Sequence, residues 1–402
     1  MRENLIKLDI FDVLAVTAYE AKHEVGKHGS AVIRAIIEEK REEEYVNAAK
    51  NTRWVRVDAL DEADKESTIF YGLLERICFF KESGSFLVEM ELVTGSALME
   101  GKVHTRGFSK GTGEYADILN ALKEGYEEAY YITGEEGKGV LPGFLVQYEE
   151  NDWNFIKRIA ALKQTVIMPD YQSKGVKYFF GMPKRESKVL TSNDVRIIVN
   201  KEYTVYEVKS REIHSLGDRV SFNRKDYRIV KIVSKTEGSE LYHTYYLTQD
   251  IDYIVKKESK YDLKIIGASL YAKVMNVEKE KVKIAIEDIE NKDEEIGGWF
   301  DFSTVYSSRD GAGWYCMPEI GDRVMVKFPN DKDNDAYVQN AVHVGAGGGR
   351  DNPKVKFFRN KEGKEIRLSP ESITITNNKG TSIELIDNEG IYIKSRGVLS
   401  VD

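Results

Sequence analysis

The residues from 366 to 402 repeat a short apolar motif, and this repeat constrains the fold more than any other feature of the chain. Turn-forming stretches such as Asn377-Asn378-Lys379-Gly380 separate its copies. Alternation with a period of two predicts short strands, each with a single apolar stripe. The apolar pairs recur every seven to ten residues and are Ile366 with Leu368, Ile373 with Ile375, Ile383 with Leu385, Ile391 with Ile393, and Leu399 with Val401.

A sheet with one thin apolar stripe per strand cannot enclose a core by itself, because an isolated small sheet is only marginally stable in water. The repeat therefore predicts that several copies of the chain wind together as a β-helical shaft with the stripes inside. The alternate residues would face water and keep the shaft soluble. They include Thr374, Thr376, Glu384 and Lys394.

The bulk composition narrows the choice of function. The 402 residues allow two to four domains, and the net charge of −8 makes nucleic acid a poor candidate for a partner. The two cysteines lack metal-type spacing, so we expect no metal and no cofactor. The N-terminal residues lack the apolar run of a signal peptide, and no stretch approaches 18 apolar residues. We expect synthesis in the cytoplasm.

The chain before the repeat changes its period several times. Residues 1–95 predict mostly strands, and the ambiguous run Ala31–Glu38 favours a strand because β-branched residues dominate it. The period becomes helical over Tyr115–Tyr126. A further helix is predicted after Asn151 or Asp152 as the N-cap. Its predicted buried residues are Trp153, Ile156 and Ala160.

Strands return over 176–254, and a compact group of five follows. Five strand-like runs between Leu270 and Val344 predict a small Greek-key barrel of the OB type. The glycine-rich run 345–349 then separates the barrel from the apolar repeat.

Two motifs resemble those of the VgrG and phage gene-D-type hub proteins of contractile injection systems. The first runs from Leu145 to Arg158, and the second from Ile320 to Phe328. A strand at Tyr337–His343 also corresponds, although Tyr337 replaces a common proline and Asn340 a glycine. The matching positions are Gln147, Tyr148, Glu149, Asp152, Trp153, Phe155, Arg158, Gly321, Asp322, Val324, Val326 and Phe328.

The resemblance implies a mainly β protein with a small α+β insert, two tube-like β-barrel hub domains, an OB-type five-stranded barrel and a C-terminal trimeric β-helix. The implied divisions are a first hub barrel at 1–95, a helical insert at 96–175, a second hub barrel at 176–260, the OB-type barrel at 261–344, a glycine-rich linker with a lead-in strand at 345–365, and the shaft at 366–402.

The resemblance also implies a function and partners. The chain would be the structural hub and spike of a myophage tail, a tailocin or a type VI secretion apparatus. It would be a homotrimer that joins a sixfold inner tube to a threefold needle, and it would act at the target cell surface. Its partners would be the inner tail tube or a tube-initiator protein, baseplate proteins, a possible PAAR-like tip cap and, transiently, the target envelope.

Two alternative functions stay open. One is a spike enzyme that degrades the cell wall, although the segment 345–365 has no room for a catalytic domain and none follows the repeats. The other is a carbohydrate-binding tail protein, which would need an exposed aromatic platform, and the shaft offers only Tyr392. We expect no catalytic residues.

Three polar stretches attract functional hypotheses but have simpler interpretations. His23 to His28 superficially resembles a zinc-protease motif, but its histidines are five apart, so we predict a solvated loop. Asp331 to Asp335 lacks the glycine and glutamate of a calcium loop and predicts a charged hairpin. The basic run over 354–367 is a candidate for lipid head groups or teichoic acid, and a solvated strand face is the simpler interpretation.

Overall fold

The computed structural model describes residues 6–60, 66–109, 113–238, 240–257, 260–293, 296–343, 345 and 349–398. The chain divides into two compact units, Met1–Val342 and His343–Asp402. Within the described residues, no helix is long and apolar enough to cross a membrane.

The larger unit contains two groups of strands with an insert between them. The first group comprises β1 (Ile6–Leu8), β2 (Ala15–Glu24), β3 (Lys27–Ile36), helix α1 (Glu42–Asn51), β4 (Trp54–Leu60), β5 (Glu66–Glu82) and β6 (Ser85–Thr94). The insert comprises β7 (Val103–Phe108), α2 (Tyr115–Lys123), β8 (Tyr130–Thr133), β9 (Leu145–Asn151), α3 (Asp152–Leu162), β10 (Ile167–Pro169) and β11 (Lys177–Phe180). The second group comprises β12 (Lys188–Val189), β13 (Asp194–Val199), β14 (Thr204–Ser210), β15 (Arg219–Phe222), β16 (Lys225–Glu237), β17 (Glu240–Thr248) and helix α4 (Asp252–Lys257).

The two strand groups share one continuous twelve-stranded sheet, in the order β1-β4-β5-β6-β3-β2-β16-β17-β14-β13, with β15 beside β16 and β12 beside β15. Strand β2 pairs antiparallel with β16, from Glu24 opposite Lys231 to Glu20 opposite Lys235. Each group nevertheless buries its own apolar core. The domain boundaries and the closure of each group into a tube-like barrel stay predictions.

The turn between β2 and β3 corrects the prediction of a solvated loop at His23 to His28. These residues form a tight hairpin in which Gly26 adopts a φ of +78°, a conformation that glycine reaches without strain. The His23 side chain is 1% exposed, and its ring stacks on that of Tyr171 with centroids 3.7 Å apart. Val25 is buried in the core of the second strand group. Sequence spacing could not show this, because the burial comes from Tyr171 and from the second strand group, which are distant in the chain.

The helix and strand predictions in this unit are confirmed. The segment Ala31–Glu38 lies mostly in β3. Helix α3 begins after Asn151, whose side chain accepts a hydrogen bond of 2.8 Å from the backbone N–H of Asn154. Trp153, Ile156 and Ala160 are buried, as the periodicity predicts.

The five strands of the predicted OB-type barrel are present. They are β18 (Ser269–Glu278), β19 (Lys281–Ile286), β20 (Gly297–Asp301), β21 (Arg323–Lys327) and β22 (Tyr337–Val342). The sheet order is β20-β19-β18-β21-β22, and a bridge between Phe302 and Val338 connects the region after β20 to the other edge strand. Phe144 and Val146, at the start of β9, complete the core of this barrel. The insert and the barrel are therefore packed as one body.

The smaller unit is an antiparallel meander. Its strands are β23 (Lys356–Arg359), β24 (Glu365–Ser369), β25 (Ser372–Thr376), β26 (Ser382–Ile386) and β27 (Gly390–Lys394). Each strand pairs with the next one along the chain. The trimeric β-helix stays a prediction, because a single chain provides strand partners only from itself.

We expect His23 to make folding sensitive to acid. Burial, reinforced by neighbouring His243, lowers the pKa of His23 to about 3. The unfolded chain takes up a proton near pH 6.5 and the folded chain does not, so this stabilisation is complete above pH 6.5 and is lost as the pH falls toward 3. Replacing His23→Phe should therefore flatten the fall in unfolding free energy between pH 6.5 and 4, by up to about 1.4 kcal/mol per pH unit. Urea titrations at several pH values measure this slope, and an unchanged slope would contradict the assignment.

Candidate functional site

One side of the meander sheet carries the predicted apolar pairs and is left uncovered in the single chain. The registry places Ile366 opposite Ile375 and Leu368 opposite Ile373, and the later strands continue the pattern. We call this surface the apolar face. It consists of Ile366, Leu368, Ile373, Ile375, Ile383, Leu385, Ile391 and Ile393, which are 39–66% exposed. Leu399 and Val401 lie outside the described residues.

The apolar face is large for a surface that remains in water. Full burial of an isoleucine or leucine side chain stabilises a structure by about 1.5–3 kcal/mol. Phe358 extends the face onto β23, where it lies opposite Ile366 and is itself exposed. Contiguous exposed apolar surface of this kind marks a site of association.

The other side of the sheet is polar, as the alternation predicts. Thr374 lies opposite both Arg367 and Glu384, and its hydroxyl donates a hydrogen bond of 3.3 Å to the Glu384 carboxylate. Successive side chains of a strand point to opposite faces, so Thr376 and Lys394 share this polar side. The sheet is therefore strongly two-sided.

The first family motif forms a buried polar cluster around Asp152, at the start of α3. The Asp152 carboxylate is 1% exposed. It accepts hydrogen bonds of 2.9 Å from Arg106, 2.8 Å from Gln147 and 2.7 Å from the hydroxyl of Tyr126. Burial and this hydrogen bond raise the pKa of Tyr126. The cluster ties α3 to β7 and to the segment after α2.

A second buried cluster surrounds Arg158, which lies further along α3. Its guanidinium donates hydrogen bonds of 2.6 Å to the Val146 carbonyl and 3.0 Å to the Glu150 carboxylate, and one of 3.4 Å to Asp333 in the barrel. Burial opposes the charge on Arg158, but the carboxylates of Glu150 and Asp333 outweigh burial and raise its pKa. We call Arg158, Glu150 and Asp333 the ionic latch, because they join the insert to the barrel.

The ionic latch is crowded with carboxylates. Burial raises the pKa of Glu150, and it raises the pKa of Asp333 to about 6, although Arg158 opposes both shifts. Asp262 lies near enough to add to both effects. A buried Arg with two carboxylates fixes the relative position of two elements, because breaking such a pair leaves an unpaired buried charge.

The charged hairpin predicted at Asp331 to Asp335 is present between β21 and β22, but one of its carboxylates is not solvated. Asp333 is buried, and the neighbouring Asn334 side chain accepts a hydrogen bond of 3.0 Å from the backbone N–H of Phe144. The sequence motif identified Arg158 but neither Asp333 nor Arg106, which are distant in the chain and belong to no motif. Only the alternating carboxylates of the hairpin hinted at Asp333.

The other motif residues have packing or turn roles. Val324, Val326 and Phe328 are buried in the barrel core, and Trp153 and Phe155 in the core of the insert. Gly321 has a φ of +95° in the turn before β21, and Asp322 accepts a hydrogen bond of 2.9 Å from the Glu319 N–H in the same turn. Tyr148 packs against the barrel core, and exposed Glu149 accepts a hydrogen bond of 2.8 Å from Lys264 at its carbonyl.

The arrangement of potential metal ligands bears on whether the chain could hold a metal ion. Among the residues that the structure describes, no group of three or more His, Cys, Asp or Glu side chains is arranged to hold a metal ion. The pairs and clusters that do occur are ion pairs and hydrogen bonds between neighbouring elements.

Comparison with known proteins identifies the fold of the chain. Residues 271–343 match the family described as the type VI secretion system/phage-baseplate injector OB domain. The E. coli c3393 protein, a component of the type VI secretion system with structural similarity to T4 bacteriophage tail proteins, aligns with a TM-score of 0.57 and 10% identity over 84% of this chain and 99% of that chain. A Francisella PdpA-VgrG complex aligns with a TM-score of 0.56 and 10% identity over 97% of this chain and 88% of that chain. No curated protein sequence matches the chain.

These similarities define the class of protein. The chain is a mainly β protein with an injector OB domain over residues 271–343, and its fold is similar to that of VgrG. The resemblance to VgrG and phage baseplate proteins, drawn from the motifs at Leu145–Arg158 and Ile320–Phe328, is confirmed by the match of the OB domain and by the similarity of fold.

We expect Arg158→Met to lower the free energy of unfolding by about 3–5 kcal/mol, because it leaves two carboxylates buried without their partner. The matched control is Arg76→Met. Arg76 pairs with Glu91 at 2.8 Å, and both side chains are well exposed, so its loss should cost about 1 kcal/mol or less. Urea titration of both variants gives the comparison, and equal losses would show that the latch is not stabilising.

Asp333→Asn should change the pH dependence of folding in the direction opposite to His23→Phe. The folded carboxyl has a pKa of about 6 and the unfolded one about 3.8. Protonation thus stabilises the folded chain fully below about pH 4, and this contribution is lost as the pH rises through 6. The difference in unfolding free energy between the parent and Asp333→Asn should fall by up to about 1.4 kcal/mol per pH unit over that window. Urea titrations from pH 4 to 7 test the expectation, and a constant difference would refute it.

Proposed function

We propose that the chain is the structural hub-spike at the centre of a contractile tail baseplate, where it connects a sixfold inner tube to a threefold membrane-piercing needle. The observation that carries the proposal is the uncovered apolar face on the smaller unit, whose eight residues are 39–66% exposed. A protein of this size has a large core elsewhere, so the exposed stripe is not a failure of folding. It is a surface to be buried against copies of itself.

The paired strand groups of the larger unit support an assembly of three chains. One chain carries two groups that share a sheet through β2 and β16. Three chains would present six such groups, which is the number that a sixfold tube requires. Each group has its own core, so each is a suitable unit for one position in the ring.

The ionic latch supports a role in transmitting force. It joins α3 of the insert to the barrel through Arg158 and Asp333, and Phe144 and Val146 of the insert are part of the barrel core. A load applied to the strand groups would reach the barrel through packed side chains rather than through a flexible linker. No bond-breaking chemistry belongs to this role, and the proposal is therefore a non-catalytic one.

The proposed domains follow the divisions set out above. The hub barrels occupy 1–95 and 176–260, with the insert at 96–175, the OB-type barrel at 261–344, the linker at 345–365 and the shaft at 366–402. The proposed partners are the inner tail tube or a tube initiator, baseplate proteins and a PAAR-like tip cap. One VgrG-type relative occurs in a complex with PdpA, which makes a further protein partner a reasonable expectation for this chain.

Native mass spectrometry should find the parent protein at three times the chain mass, and Ile375→Lys should reduce that species to single chains. The substitution removes about 1.5–3 kcal/mol of apolar burial per chain. It also places three unpaired ammonium groups in one dry core, at a cost of several kcal/mol each. The control is Thr374→Lys, which adds the same charge on the polar side beside Glu384 and should remain trimeric.

A parent protein that is well folded and monomeric, with an ordered C-terminal sheet, would overturn the spike assignment. An equal loss of assembly in both lysine variants would show that charge in general, rather than burial of the apolar face, controls association.

A further inference from the structure

Three guanidinium groups converge on one aromatic ring on the polar side of the smaller unit. The guanidinium carbons of Arg350, Arg359 and Arg367 lie 5.7, 4.8 and 5.2 Å from the ring centroid of Phe357. Strand pairing sets this arrangement, since Phe357 is opposite Arg367, and Arg359 is opposite Glu365. We call these three arginines with Phe357 the cationic cluster. It faces away from the apolar face, because strand side chains alternate.

The cationic cluster is only partly neutralised. The buried carboxylate of Glu365 pairs with Arg367 through one oxygen and with Arg359 through the other, the latter at 3.4 Å. Within the described part of the chain, no carboxylate pairs with Arg350, and its guanidinium lies over the Phe357 ring. Arg350 therefore adds a positive charge without a described carboxylate partner to two arginines that share Glu365.

The surrounding segment adds to this positive charge. Residues 349–367 contain seven Lys and Arg and three Asp and Glu, within a chain whose net charge is −8. Lys354 and Lys361 are exposed and add to the same segment. A local concentration of positive charge on a negative protein is a feature that attracts anions and raises their rate of encounter.

We propose that the cationic cluster binds the phosphates of anionic phospholipid head groups. Planar guanidinium groups bind phosphate oxygens with two parallel hydrogen bonds, and stacking on Phe357 holds these groups in place before a ligand arrives. Groups of four to eight basic residues bind anionic lipid surfaces, and each contributes about a fivefold increase in affinity. The cluster and its neighbouring lysines together place seven basic residues in 349–367. The choice of lipid as the source of the phosphate rests on the proposed spike function, which brings this unit to a cell envelope. The geometry of the cluster does not depend on that function.

The test is flotation of the full-length protein with vesicles made of equal parts phosphatidylglycerol and phosphatidylcholine, compared with vesicles of phosphatidylcholine alone. The parent should bind the first and not the second, and added salt should weaken binding. The double variant Arg350→Gln with Lys354→Gln should bind about 25-fold more weakly. Both side chains are exposed and neither pairs with Glu365, so folding should be unaffected, which circular dichroism checks.

The matched control removes two positive charges elsewhere in the same unit, by Lys379→Gln with Arg396→Gln. It should bind within about twofold of the parent. Equal weakening in the control would overturn the assignment to the cluster and its neighbouring lysines, as would a lack of binding by the parent to the anionic vesicles. Binding to soluble polyphosphate without binding to vesicles would overturn the lipid assignment in favour of a free phosphate polymer. If the protein is a trimer by native mass spectrometry but does not float with the anionic vesicles, this proposal is overturned and the spike assignment stays intact.

Discussion

A β-sheet with one apolar side is stable only when something covers that side, and the smaller unit of this protein does not provide the cover. Its five strands form hydrogen bonds along the chain, which satisfies the backbone, but Ile373, Ile375 and their partners stay in water. Backbone pairing and side-chain burial are separate requirements, and here the chain meets only the first by itself. The need for a second surface links local sequence to assembly and underlies the proposed function.

The larger unit meets both requirements within one chain. Its two strand groups share a sheet, and the insert lies between them in sequence while also contributing Phe144 and Val146 to the barrel. The ionic latch at Arg158 adds a directional contact to that apolar packing. Hydrophobic contact alone tolerates small displacements, whereas a buried guanidinium with fixed acceptors does not, so the latch defines how barrel and insert meet.

Titratable groups at two positions give this unit opposing responses to acid. His23 stays neutral because burial beside Tyr171 and Phe70 lowers its pKa, and Asp333 holds its proton more tightly because it is buried where the barrel hairpin meets the insert. Both effects come from tertiary burial, and the sequence predicts neither. The sequence predicts a solvated loop for His23 and a charged hairpin for Asp333. The hairpin is present, but the burial of both side chains depends on residues that are distant in the chain.

Local patterns in the sequence determined the secondary structure and the two-sided nature of the C-terminal strands. A period of two, or the Asn151 cap before α3, depends on neighbouring residues, so it can be recognised without a fold. Motif spacing also determined the family resemblance. Only the tertiary structure decided that β2 pairs with β16, that Asp333 meets Arg158, and that three arginines share the ring of Phe357. Those contacts join residues distant in the chain, or depend on strand registry, and local sequence carries no information on either.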